Sequence, residues 1–103
     1  MIVEERIYML KPGALPEFMR LYEAEGWKVH TRHLGQPLGY YTSEIGKLNL
    51  VVSLWRYESW EERERRRAGL YGDPEWLAAV AKITPLIESM ENRILKPAPF
   101  AAG

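Results

Sequence analysis

The segment LNLVVSLWRY, residues 48–57, is the most apolar stretch of the chain and the one that most restricts its fold. Read as a strand, it places Leu48, Leu50, Val52 and Leu54 on one side and Asn49, Val51, Ser53 and Trp55 on the other. A strand this apolar on both faces needs a covering layer on each. Within 103 residues, helices of the same chain can cover one face. The other cover is expected from a second copy of the protein.

Taken in order, the chain alternates strands and helices. Residues 2–10 read as a strand in which Val3, Glu5, Ile7 and Met9 share one face, while Ile2, Glu4, Arg6, Tyr8 and Leu10 share the other. Lys11-Pro12-Gly13 ends it with turn chemistry. A helix follows from near Pro16 to Leu34, interrupted at Gly26, where a kink or an irregular Trp27-Lys28-Val29 is expected. Residues 36–43 and 47–57 read as two strands joined by a tight turn at 44–47. Ser59 with Glu62 three residues on is a capping box and opens a helix over 60–70. Asp73-Pro74 opens another, carrying Trp76, Leu77, Val80 and Ile83 and ending at Pro85. Residues 89–95 read as a last strand, after which Phe100 is expected to pin the terminus or touch a partner. This is the split βαβ order, predicting an α+β fold: a ferredoxin-like four-stranded antiparallel sheet with helices on one face. Two copies packed sheet to sheet then make a dimeric α+β barrel. Length predicts a single domain over 1–103.

Composition narrows the function classes. Formal net charge is zero, so no global field draws nucleic acid or an anionic membrane. The absence of cysteine removes disulfides, a thiol nucleophile and thiolate metal sites, and suits a reducing cytoplasm. No basic n-region precedes an apolar run, and no run approaches the ~20 residues of a membrane span. No phosphate loop, serine elbow or paired-carboxylate motif is present, and no cofactor or metal is expected.

The motifs Tyr8-Met9-Leu10-Lys11-Pro12-Gly13, Leu38-Gly39-Tyr40-Tyr41-Thr42-Ser43-Glu44-Ile45-Gly46, Leu54-Trp55-Arg56-Tyr57, Asp73-Pro74-Glu75-Trp76 and Ile94-Leu95-Lys96-Pro97 occur in this order and spacing. With them the chain resembles a small NIPSNAP-type protein over nearly its whole length. The resemblance implies a ferredoxin-like fold and a homodimer, in a family without a settled enzymatic activity. It also implies a histidine where this chain has Ser53, so any ligand contact or proton transfer served by that histidine is missing here.

Candidate site residues fall into four groups. His30 and His33, three apart on a helix, share a face and could pair on a metal, but no local third ligand exists; a solvated helix end explains them better. Glu44 at the hairpin tip is placed to fold back onto the arginines of the following helix. There, Arg63 and Arg66 suit a carboxylate or phosphate, although Glu61, Glu62 and Glu64 offset the charge. Tyr8, Tyr41, Trp55, Trp60 and Trp76, with Ser53, are candidates to line a cleft between the sheet and its helices, where an aromatic wall suits a small apolar ligand. Two functions compete. One is a non-enzymatic, homodimeric module that binds a small ligand or a protein. The other is a cofactor-free oxygenase, isomerase or decarboxylase of a small apolar or aromatic compound, with His30, His33 or Tyr8 as acid or base. A haem site with an axial histidine is a weaker third. A filled cleft would speak against an enzyme; an apolar cavity touching a histidine or Tyr8 would favour one.

Overall fold

Alternation along two neighbouring strands decides which side of the sheet is covered. In the computed structural model, which describes residues 1–101, strand β1 (Ile2–Leu10) pairs antiparallel with β3 (Leu50–Tyr57). On β3, Val51, Ser53, Trp55 and Tyr57 are buried, whereas Leu50, Val52 and Leu54 remain half-exposed. Strands β2 (Gly39–Thr42) and β4 (Ile87–Leu95) complete an open antiparallel sheet of order β2-β3-β1-β4. This is the expected ferredoxin-like α+β arrangement.

Helices α1 (Leu15–Leu21), α2 (Trp27–Leu34), α3 (Trp60–Tyr71) and α4 (Pro74–Ile83) carry the rest of the core on one face of that sheet. Their inward residues Phe18, Leu21, Val29, Leu34, Leu70, Trp76 and Ile83 meet Leu10, Val51, Trp55 and Tyr57 from the strands. Both helix starts read from the sequence are capped as expected. The Ser59 hydroxyl accepts from the Glu62 N–H at 3.1 Å, and the Asp73 carboxylate accepts from the Glu75 N–H at 2.9 Å. None of the described helices is long and apolar enough to cross a membrane.

Five local expectations need correction. The hairpin turn is not tight: β2 stops at Thr42 and β3 starts at Leu50, leaving a wide loop over 43–49. Asn49 takes a left-handed φ of 64° and gives its carbonyl to the Leu10 N–H at 2.8 Å, which draws it off β2 and onto the end of β1. β2 also begins late, because Pro37 has no N–H to place in a ladder. The first helix is not irregular at Trp27-Lys28-Val29; its irregularity is a π-helical turn over Tyr22–Gly26. Finally, β4 begins at Ile87, and Phe100 is 94% exposed, so it does not pin the terminus.

Two substitutions check this packing by equilibrium urea denaturation. Trp55→Ala, at a fully buried ring, is expected to cost about 3–5 kcal/mol. Ser59→Ala is expected to cost about 1 kcal/mol through loss of the α3 cap. A Trp55→Ala loss under about 1 kcal/mol would contradict the burial of that face.

Candidate functional site

The face of β1 that meets the helices carries two charged residues, Glu4 and Arg6, between Ile2 and Tyr8. Glu4 is completely buried, which is tolerable for a carboxylate only if it is well partnered. It is partnered from three elements. Arg63 of α3 grips it in a two-point fork, Nε and Nη2 each donating at 3.0 Å. Arg6 Nη1 donates at 3.0 Å and the Asn92 amide of β4 at 2.9 Å. Burial alone would raise the Glu4 pKa, but the Arg63 and Asn92 hydrogen bonds and the charges of Arg6 and Arg63 outweigh it and hold it at about 2.

Arg6 reaches from this cluster into a cavity of about 100 Å³ between the sheet and the helices. The walls are aromatic: Tyr8, Phe18, Tyr22, Tyr40, Trp76 and the His30 imidazole, with Ser53 and Ile83. The π-helical turn builds one wall. A Cβ on Gly26 would lie 2.9 Å from the Tyr22 ring, so glycine is what lets that ring lie against the helix backbone. Tyr22 is then stacked on Tyr40, centroids 4.8 Å apart, and its hydroxyl lies 2.7 Å from His30 Nδ1. His30 sits between two indoles, 4.4 Å from Trp55 and 4.3 Å from Trp76. Burial, with help from the charges of Arg6 and Arg67, pushes its pKa down to about 3, so the imidazole is neutral at pH 7. Burial likewise pushes the Tyr22 and Tyr40 phenols well above the usual tyrosine range. Among the described residues no cluster of histidine, aspartate and glutamate could hold a metal.

The NIPSNAP family model matches residues 3–102. The chain belongs to the NIPSNAP family. It is 36% identical to a NipSnap homolog of Dictyostelium discoideum over 94 residues, 91% of this chain and 41% of that protein. It is 33% identical to NipSnap homolog 2 of Homo sapiens, covering 93% of this chain and 33% of that one. The chain thus spans well under half the length of these curated relatives. Among solved structures, a protein of Agrobacterium tumefaciens superposes with a TM-score of 0.95 at 46% identity, over 98% of this chain and 97% of that one. A putative antibiotic biosynthesis monooxygenase of Nitrosomonas europaea superposes with a TM-score of 0.67 at 12% identity, over 94% and 98%, a likeness of fold alone.

Of the residues singled out in the sequence, Tyr8, His30, Ser53 and Trp76 line the NIPSNAP cavity. The others lie elsewhere. His33 Nε2 is 2.8 Å from the Asp73 carboxylate, so the two histidines look to different partners although they share a helix. Trp55 is core, its indole N–H donating to Ser53 Oγ at 2.8 Å. Tyr41 is on the opposite sheet face and exposed, and Trp60 is half-exposed under the Arg63 guanidinium. Arg63 anchors Glu4 behind the cavity, while Arg66 donates to the Leu34 carbonyl at 2.8 Å and closes the end of α2. Glu44 does not fold back onto these arginines, because the wide loop keeps it exposed at the tip, without a hydrogen bond to any described residue. Arg6, Tyr22 and Tyr40 also line the cavity, and the sequence reading misses them. The signal for Arg6 was in plain sight: a charge on the apolar face of a strand.

Acid stability follows from these groups. His30 titrates near 6.5 when unfolded and near 3 when folded, so its contribution is complete above pH 6.5 and is lost as pH falls toward 3. Glu4 behaves alike between its ordinary 4.5 and about 2. Stability measured by urea denaturation is expected to fall by about 2 kcal/mol between pH 6.5 and 4.5, nearly all of it through His30, and more steeply below. His30→Gln should flatten the upper limb; an unchanged slope would mean His30 is not the group responsible.

Proposed function

We propose that this NIPSNAP chain is a homodimeric module that binds a small apolar or aromatic molecule in the cavity between its sheet and helices. The carrying observation is that the aromatic core closes tightly around Trp55 and Tyr57 yet leaves about 100 Å³ open beside Tyr8, Phe18, Tyr22 and Trp76. Protein interiors ordinarily fill such space; it is smaller than the apolar void of roughly 150 Å³ that accepts a benzene ring, so a single-ring ligand requires the lining side chains to give way slightly. Binding fits the groups present better than proton transfer does. A neutral imidazole with a pKa of about 3 is a weak base, and two phenols held above their ordinary range are weak acids.

The uncovered sheet face supports the dimer. Across it Tyr41, Val52 and Ile7 form one row through three strands, flanked by Leu50 with Met9 and by Leu54. A second copy offering the same face would cover this surface by two-fold symmetry. A reducing compartment such as the cytoplasm suits a chain without cysteine.

A second reading keeps chemistry in the cavity, as a cofactor-free oxygenase, isomerase or decarboxylase. What favours it is that the cavity touches both His30 and Tyr8. The two readings part on one result: a bound compound recovered unchanged after aerobic incubation supports binding, and a product supports catalysis.

Native mass spectrometry of freshly purified protein is expected to show a dimer, with retained ligand mass in a fraction of molecules. Val52→Asp is expected to shift the population to monomer by sedimentation while leaving the fold intact, because Val52 lies outside the helix-covered core. A wild-type monomer at micromolar concentration would overturn the dimer.

A further inference from the structure

We propose that the cavity is selective for an organic anion, a single aromatic ring bearing a carboxylate, with the Arg6 guanidinium as the group that holds the charge. This rests on the binding reading above and adds the class of ligand.

The charge count around Glu4 is uneven. One buried carboxylate faces two guanidinium groups, and Arg63 takes the two-point fork. Arg63 also has the exposed Glu64 carboxylate at 2.6 Å. Arg6 has only one contact to Glu4, through Nη1, and a 3.3 Å hydrogen bond from Nε to the Tyr8 hydroxyl. Its Nη2 donates to no described residue. The side chain is only 13% exposed, and Nη2 is not sealed in the interior, so its N–H groups are open to a partner. Glu91 borders a groove that also reaches Arg6 from the β4 edge, but Arg93 holds that carboxylate at 2.8 Å. A guanidinium carries five N–H donors in a plane, and a carboxylate is the partner that matches its fork.

The rest of the wall carries further groups that can donate. Ser53 Oγ already accepts from Trp55, leaving its own hydrogen to donate. In the tautomer in which the Tyr22 hydroxyl donates to Nδ1, His30 carries its proton on Nε2, which has no protein partner among the described residues. The neutral imidazole adds no second positive charge to oppose Arg6. An aromatic lining of Tyr8, Phe18, Tyr22, Tyr40 and Trp76 suits a flat ring.

The test is calorimetric titration of the full chain with benzoate, benzamide and toluene, isosteric rings that differ in charge and polarity. Benzoate is expected to bind at least tenfold more tightly than benzamide. Arg6→Gln, which leaves Glu4 with Arg63 and Asn92, is expected to erase that preference while toluene still binds. Should the variant not fold by near-ultraviolet circular dichroism, the wild type decides through the Arg6 Nε resonance, which must move on benzoate saturation and not with benzamide. Equal binding of benzoate and benzamide, or an unmoved Arg6 signal, overturns the anion proposal and leaves the cavity reading standing. No binding of any of the three rings overturns both.

Discussion

The Glu4 carboxylate is the tie on which the architecture depends. It lies on a central strand, and its partners come from β1 itself, from α3 and from the edge strand β4. Nothing apolar could substitute for it while Arg6 and Arg63 remain, since two largely buried guanidinium groups would then share only the exposed Glu64 carboxylate on Arg63 as counter-charge. The cluster costs desolvation energy that an all-apolar core would avoid. What it secures in return is geometric: α3 is fixed against the sheet at one register, and Arg6 is held where the cavity begins.

Much of the frame was legible because it rests on local signals. The Ser59 and Asp73 caps, the two-faced strand at 50–57 and the alternation of 2–10 each specify backbone structure within a few residues. The site was less legible because it is made by convergence of distant segments. His30 and His33 look equivalent on a helix, yet one faces the sheet between two indoles and the other meets Asp73 from the next helix. Tyr40 and Tyr41 are neighbours in sequence and end on opposite faces, so only the register of β2 tells which one sees the cavity. Gly26 reads as a helix breaker; its role is close approach by the Tyr22 ring, which no propensity scale contains.

The two faces of the sheet divide the work by composition. The helix side mixes rings with a buried ionic cluster and leaves a small void. The other side is apolar through Ile7, Val52 and Leu54, but Glu5 on the central strand lies beside Leu54, and Arg93 of β4 joins Glu5 to Glu91 in exposed ion pairs. A likeness at 12% identity speaks for the frame alone, so what happens in the void has to be argued from Arg6 and its neighbours.

The π-helical turn at Tyr22–Gly26 makes the leading helix resistant to idealisation. Such a turn holds one residue more than the α-helical count. Excising that residue would regularise the hydrogen bonding and twist everything upstream by about 100°. Phe18 and Leu21 would swing away from the core while Tyr22 lost its seat against Gly26. A stabiliser's instinct to smooth this helix would therefore erase the void, and the awkward stretch of backbone is the part of the chain least open to improvement.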